Sequence, residues 1–299
     1  MKVWLSRAAI PLLFLLSRLP LWVLYRLSDV TAVVVYDLLR IRRRVTLENL
    51  RLAFPEWTES RRRRVARRYY RHLCDVAFEV VKSLTITAEE LTRRAPYCDV
   101  EFVHEYHRQR HSVIAVLGHY GNWEWACLTA ALFFEQPVVV VYKPLENPVF
   151  DALFRKSRER FGVEMVAMKE VGRYFARHQD RHAIHCLAAD QAPRRAEVAY
   201  WTPFFGIETP VHQGVEKLAI RYDQTLLFVR MSMPSRGHYE LHAEPIEEHP
   251  GRTAPGEITE KHVRLLEAQI RERPELWLWS HRRWKRRRAE SPSSSTPRD

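Results

Sequence analysis

The sequence predicts an α/β fold with a mixed central sheet and helices on both faces, preceded by an N-terminal membrane-associated helical segment. Three observations carry this. From residue 112 onward, short apolar strand-like runs alternate with stretches of helical periodicity. The first 44 residues combine apolar runs with arginines. The chain, 299 residues with 46% hydrophobic content, is long enough to bury one large core, and nothing in its middle resembles a flexible linker.

The elements follow in order. Apolar runs at 8–16, 19–25 and 30–36 are interrupted by Arg18 and Arg26 and followed by Arg40, Arg42, Arg43 and Arg44. No uncharged stretch reaches the ~18 residues of an unambiguous spanning helix. Residues 1–44 therefore read as an anchor that either spans with Arg18 snorkelling or lies in the interface with its arginines on headgroups. The arginine cluster after the apolar part places the rest of the chain on the cytoplasmic side. A helix is predicted over 58–84, with Thr58 or Ser60 as cap and Val65, Tyr69, Leu73, Val76, Val80 and Leu84 at helical spacing. Strands are predicted at 112–117, 137–142, 163–167, 183–188, 226–231 and 239–243. Helices at 123–134, 148–161, 171–178, 213–222 and 258–271 separate many of them. One main domain covers 45–288, and the Ser- and Pro-bearing stretch 289–299 is predicted to be a disordered tail.

Composition narrows the function. A net charge of +12, mostly from arginine, suits phosphate-bearing or acidic partners: anionic lipid, nucleic acid or an acidic carrier protein. Cys74, Cys98, Cys127 and Cys186 lack CxxC spacing, which argues against zinc and against a disulfide framework. The motifs HExxH, GxGxxG, GxSxG and the P-loop are absent, so metalloprotease, dinucleotide, serine-hydrolase and NTPase readings have no local support.

The remaining chemistry centres on Gly118-His119-Tyr120-Gly121-Asn122-Trp123-Glu124, which follows the strand at 112–117. A histidine that takes a proton needs a partner to hold one tautomer and stabilise the imidazolium. Glu124 is the candidate partner if His119 lies in the loop and Glu124 in the first turn of the following helix, with Asn122 as N-cap. A structural histidine in a strand-to-helix turn fits the same spacing. Other polar residues also fall at predicted strand ends, where α/β proteins gather reactive groups: Lys143, Asp190 and Gln191. If His119 deprotonates a hydroxyl that attacks an activated acyl group, an oxyanion develops. Arg158, Arg160 and Lys143 are candidate cations for it, each with a plain reading as a solvated charge. The run Trp277-Leu278-Trp279-Ser280-His281-Arg282-Arg283-Trp284-Lys285 suits a membrane interface or phosphate-rich headgroup, and equally single-stranded nucleic acid. The apolar N-terminus favours lipid, since a nucleic-acid binder has no need of one.

Several motifs in one order resemble the late acyltransferases of lipid A biosynthesis, the lauroyl/myristoyl transferase family, over most of the chain. They are Arg44-Val45-Thr46-Leu47-Glu48-Asn49-Leu50 with Ala53-Phe54-Pro55, the His119 to Glu124 run, Arg158 to Gly162, Asp190-Gln191, Pro203-Phe204-Phe205-Gly206, and Pro274-Glu275 through Lys285. The resemblance implies a glycerolipid acyltransferase-like fold and an HxxxxE variant of the HxxxxD signature, with His119 as base and Glu124 as charge partner. It implies acyl carrier protein thioester as co-substrate with no other cofactor and no metal, a lipid A precursor hydroxyl as acceptor, and an inner-membrane location. By the same resemblance Arg160, ahead of Arg158, matches the arginine of the second motif, and Asp190 the aspartate of the third. Asn122, Gln191, Arg282 and Arg283 complete the candidate substrate contacts. Gln191-Ala192-Pro193 departs from the best-known members, which leaves an aminolipid or lysophospholipid acceptor as an alternative. A different class also fits the charge pattern: a membrane-tethered, non-catalytic binder of RNA or anionic lipid.

Overall fold

The computed structural model of the chain describes residues 3–98, 100–193 and 199–286, so the stretch read as a tail lies outside the described residues. The N-terminal apolar segment forms two helices, α1 (Val3–Arg18) and α2 (Leu21–Val33), broken at Leu19-Pro20, and α2 continues into a π-helical turn, Val34–Leu38. Among the described residues no helix is long and apolar enough to cross a membrane. Proline explains the break, because it lacks the N–H that would continue the first helix. On α2 the residues Leu21, Leu24, Ser28 and Ala32 are buried at helical spacing. Trp22, Leu27, Val30 and Val33 on the other side are exposed.

Next come α3 (Arg43–Ala53) and α4 (Glu59–Lys82). The latter has the predicted cap: Thr58 Oγ1 accepts from the Arg61 N–H at 3.3 Å. The short elements α5 (Ala88–Arg94), β1 (Tyr97–Cys98) and α6 (Glu101–Arg108) lead into the α/β part. There β2 (Val113–Leu117) is followed by α7 (Trp123–Phe133), β3 (Val138–Tyr142), α8 (Pro148–Glu159), β4 (Glu164–Ala167), α9 (Val171–Arg177) and β5 (Ile184–Ala188). After β5 stand a hairpin, β6 (Tyr200–Phe204) with β7 (Ile207–Val211), then α10 (Gly214–Tyr222), the long ribbon β8 (Thr225–Ser235) with β9 (His238–Glu247), and α11 (Glu257–Glu272).

The seven-stranded sheet runs β1-β9-β8-β2-β5-β3-β4, parallel except for the β8–β9 pair, and is flanked by helices. The mixed α/β architecture therefore stands. β2 is the central strand and every residue of it is buried, which is why it reads as an unbroken apolar run rather than an alternation. Its parallel pairing with β5 sets Leu117 opposite Ala188. The two chain segments that follow these residues leave the same sheet edge side by side.

The β6–β7 hairpin does not appear in the sequence reading. Pro203 and Pro210 interrupt its strand pattern, as prolines do in a ribbon with free edges. Its two-residue turn places Phe205 and Gly206 at φ 55° and 74°, the left-handed pair that matches strand twist. One continuous core runs from Leu21, Leu24 and Tyr36 through the sheet to Trp277 and Trp279. The N-terminal helices thus share their interior with the rest of the chain.

None of Cys74, Cys98, Cys127 and Cys186 is in a disulfide, and Cys74 and Cys186 are buried. Trp277 and Trp279 are likewise buried, and Arg283 with them. This corrects the reading of that run as a lipid- or base-stacking surface: its rings pack against Phe204, Phe205 and Phe54. Periodicity cannot separate an aromatic run that stacks on a ligand from one that fills a core.

Candidate active site

The loop 118–122 connects the end of β2 to α7. It is held tightly on both sides. Trp277 bridges Tyr120 in antiparallel fashion, Leu278 N–H donates to the His119 carbonyl at 3.1 Å, and Gly121 N–H donates to Leu276 O at 3.0 Å. Gly118 and Gly121 let the loop pack against α11 and β8 as well. A Cβ at Gly121, whose φ is +57°, would lie 2.2 Å from Met231 Sδ, and one at Gly118 would lie 2.6 Å from Leu266 Cδ1. At the far end the Asn122 side chain caps α7, accepting from Trp125 N–H at 2.9 Å.

His119 is paired with Asp190. Its Nδ1 lies 2.6 Å from Asp190 Oδ1, and its backbone N–H donates to Asp190 Oδ2 at 2.9 Å. Trp277 Nε1 donates to the same Oδ2 at 2.8 Å. The β2–β5 register explains the encounter: His119 and Asp190 each stand two residues beyond the paired Leu117 and Ala188. Burial alone would raise the Asp190 pKa, but His119 and the two N–H donors hold it well below the usual carboxylate range. Burial likewise opposes the imidazolium of His119, yet the Asp190 carboxylate outweighs it and keeps the His119 pKa above its ordinary value; Glu124 adds in the same direction. With ionised Asp190 accepting, Nδ1 carries the ring proton and Nε2 keeps its lone pair. Gln191 Nε2 lies 3.3 Å from that nitrogen.

Glu124 has another partner. Arg158, from the last turn of α8, grips it in a two-pronged pair, Nε to Oε2 at 2.8 Å and Nη2 to Oε1 at 2.9 Å. The expectation that Glu124 holds the His119 ring is corrected accordingly: it acts on His119 through its charge, while Asp190 makes the bond. Arg160 is corrected in the same way. Its Nη2 donates to the carbonyls of Ser83 at 2.8 Å and Ile86 at 2.7 Å, just beyond the C-terminal turn of α4, and it is Arg158 that pairs with Glu124. Asn122 is fully buried, with Nδ2 donating to Glu79 Oε2 at 2.7 Å, and offers nothing to a substrate. Arg283 is 2% exposed, donates to Pro210 O at 2.9 Å, and has its pKa pulled down to about 10 by burial. Lys143 and Arg282 are exposed, Lys143 on the loop after β3, at the same sheet edge as His119.

Three contributors escape sequence reading. Trp277 buttresses Asp190. Asn49 of α3 donates to the carbonyls of Trp279 at 2.8 Å and His281 at 2.7 Å, which fixes the segment that pairs with the loop. His281, whose pKa burial pulls down to about 4, accepts at Nε2 from Ala192 N–H at 3.1 Å and so holds the chain just after Gln191. The motifs containing them are visible in the sequence, but their roles depend on long-range pairing. Among the described residues no group of three or more His, Cys, Asp or Glu side chains is placed to hold a metal ion.

A His–Asp pair at the carboxyl edge of a mixed α/β sheet, with Gln191 beside its Nε2 and a second carboxylate–arginine pair nearby, is the arrangement of a protein whose imidazole can take a proton from a hydroxyl or from water. The chain belongs to the bacterial lipid A biosynthesis acyltransferase family, whose model matches residues 1–286. It is 25% identical to the lipid A biosynthesis lauroyltransferase of Escherichia coli K12 over 296 residues, covering 98% of this chain and 95% of that one. It is 24% identical to the lipid A biosynthesis palmitoleoyltransferase of the same organism over 292 residues, covering 96% and 92%. With a lipid A biosynthesis acyltransferase of Haemophilus influenzae it shares 23% identity over 239 residues, covering 77% and 72%.

Proposed function

We propose that this chain transfers a fatty acyl group from acyl carrier protein to a hydroxyl of a lipid A precursor, with His119 as general base and Asp190 as the group that orients it. The observation that carries the reading is the 2.6 Å His119–Asp190 pair in a member of this family. Nε2 removes the proton from the acceptor hydroxyl as its oxygen attacks the thioester carbonyl. The tetrahedral oxyanion then collapses, the carbon–sulfur bond breaks, and the leaving thiolate takes the proton from the imidazolium. Gln191 Nε2, 3.3 Å from the reacting nitrogen, is positioned to donate toward the oxyanion. The acyl group belongs to the saturated or monounsaturated chains named for the relatives.

The surroundings support both substrates. Leu12, Phe14, Leu15, Trp22, Leu27, Val30, Val33, Leu38, Leu39 and Ile41 form an exposed apolar series on the N-terminal elements, with Arg18, Arg26, Arg40, Arg42 and Arg44 exposed among them. Such a surface seats in the headgroup layer and keeps the site at a bilayer, which we place on the cytoplasmic side of the inner membrane. The excess of twelve positive charges also draws an acidic carrier protein.

The test is incubation of the full chain with labelled acyl carrier protein and acceptor lipids in mixed micelles, followed by mass spectrometry. Label on a lipid A precursor that is lost in His119→Ala supports the reading. Transfer to an aminolipid or lysophospholipid alone would reassign the acceptor. Free fatty acid released equally with and without acceptor would make the chain a thioesterase and overturn the proposal.

A further inference from the structure

Beneath the loop 118–122 lies a buried polar network that the proposed chemistry does not use. Glu79 of α4 is completely buried. Its Oε1 accepts from Tyr25 Oη of α2 at 2.7 Å, and its Oε2 accepts from Asn122 Nδ2 at 2.7 Å and from Tyr239 Oη of β9 at 2.8 Å. Two turns earlier on the same helix, His72 Nε2 donates to the Gly121 carbonyl at 3.1 Å. α4 therefore holds the loop at two successive residues, 121 and 122.

The same face of α4 holds α2. Ser28 Oγ donates to Asp75 Oδ1 at 2.5 Å. Arg236 of the β8–β9 turn closes the joint: its Nε donates to Asp75 Oδ2 at 2.8 Å, and its Nη2 to Asp29 Oδ1 at 2.9 Å and to the Tyr25 carbonyl at 3.1 Å. The guanidinium also sits 4.7 Å from the Tyr25 ring centre. Gly237, at φ +73°, leaves room for the Tyr25 hydroxyl, since a Cβ there would lie 1.9 Å from it. Away from the buried stripe of Leu21, Leu24 and Ser28, the same helix exposes Trp22 and Val30.

We infer that Glu79 is a positioning residue that ties the seating of the N-terminal helix α2, through Tyr25, to the geometry of the His119 loop, through Asn122. The physical reason is the scarcity of partners. A buried carboxyl group needs every partner it has, so loss of the Tyr25 hydroxyl leaves Oε1 unpaired and loosens the grip of Oε2 on Asn122. Asn122 in turn carries the cap of α7, which presents Glu124 beside His119. A helix that rests on the bilayer would in this way bias the order of the loop that does the chemistry. The inference rests on the proposed function for its kinetic consequence, but its structural half stands apart.

The test is hydrogen–deuterium exchange of the full chain in phospholipid–detergent micelles, alongside acyl transfer, for Tyr25→Phe, Glu79→Ala and Glu79→Gln. Tyr25→Phe removes one hydroxyl and keeps the ring, so the fold survives. Glu79→Gln keeps the network, because its carbonyl accepts from Asn122 and Tyr239 and its amide donates to a reversed Tyr25 hydroxyl. Expected are a several-fold faster exchange confined to peptides covering 118–126 in Tyr25→Phe and Glu79→Ala, a kcat lowered about tenfold with the donor KM within twofold, and, in Glu79→Gln, loop exchange no faster than wild type with a near-wild-type kcat. Faster loop exchange in Tyr25→Phe and Glu79→Ala, with no acyl transfer by the wild type, would sink the acyltransferase reading and leave the coupling standing. Loop exchange unchanged in Tyr25→Phe, or raised equally across the central strands, would overturn the inference.

Discussion

Replacing Asp190 by Asn is the sharpest perturbation of the site, because it changes one atom and leaves the shape alone. Asp190 accepts three hydrogen bonds, from His119 Nδ1 at 2.6 Å, the His119 N–H at 2.9 Å and Trp277 Nε1 at 2.8 Å. An Asn amide has one oxygen for them. Turned toward the backbone N–H and Trp277, that oxygen keeps two bonds, and the NH2 then faces Nδ1. Nδ1 must accept, so the ring proton moves to Nε2 and the base is lost. The opposite orientation sets the NH2 against two N–H donors and costs more. The expected loss is that of a general base, about 10²–10⁴ in kcat, or roughly 3–5 kcal/mol of barrier. The pH profile moves as well. Activity requires neutral His119, whose pKa Asp190 holds above its ordinary value, so the wild-type rate falls as pH drops through that raised value. Without the carboxylate, burial dominates and the acid limb shifts to lower pH. The assay is single-turnover transfer from labelled acyl carrier protein between pH 5 and 9. A variant within about threefold of wild type, with its acid limb unmoved, would refute the assignment of Asp190.

Other expectations follow from the same geometry. Glu124→Gln and Arg158→Gln each lower transfer, and because the two side chains form one pair, the double variant is no worse than the poorer single one; a cycle in which the losses simply add would contradict this. Gly121→Ala, forced to φ +57° with its Cβ against Met231, lowers activity at least tenfold and stability by about 2 kcal/mol, as read by rate and thermal melt. Trp22→Ser with Val30→Ser weakens sedimentation with anionic vesicles by about 10²-fold, from ~1.5 kcal/mol per side chain, while the purified chain melts as wild type. Glu79 gives a pH signature: burial raises its pKa to about 7, so the native state favours the protonated form and stability is lost as pH rises from the ordinary carboxylate value toward 7. Glu79→Gln should therefore gain on wild type by about 2–3 kcal/mol between pH 5 and 8, and an advantage independent of pH would contradict it. The His119–Asp190 pair works in the reverse sense at its acid side: the depressed Asp190 contributes stability above its unfolded pKa and loses it as pH falls, whereas the raised His119 contributes below its own and loses it as pH rises.

Local pattern made much of the fold legible. The strand over 113–117 announced itself as five buried apolar residues, and the helix at 59–82 through its Thr58 cap and spaced apolar side. The β6–β7 hairpin stayed hidden behind Pro203 and Pro210, and the aromatic run at 277–284 looked like a surface because nothing local separates a stacking tryptophan from a packed one. At the site, His119, Asp190, Gln191 and Arg158 were all visible as polar residues near element ends. Their pairing was not. Which carboxylate meets which cation depends on β5 lying beside β2 across 71 residues of chain, and spacing within one motif pointed instead to Glu124, five residues away. Arg158 and Arg160 are indistinguishable in the sequence for a related reason: two arginines two residues apart at a helix end leave in different directions, one to a carboxylate and one to backbone carbonyls.

The most direct test of the central claim is the tautomer of His119 in the resting protein. Selective ¹⁵N labelling of histidine, titrated from pH 5 to 9 with His119→Gln used to assign the signal, reads which nitrogen holds the proton and where the ring charges. Protonated Nδ1, unprotonated Nε2 and a pKa above the ordinary histidine value are expected from the Asp190 bond. A neutral ring protonated at Nε2, or a pKa below that ordinary value, would contradict a base oriented by Asp190.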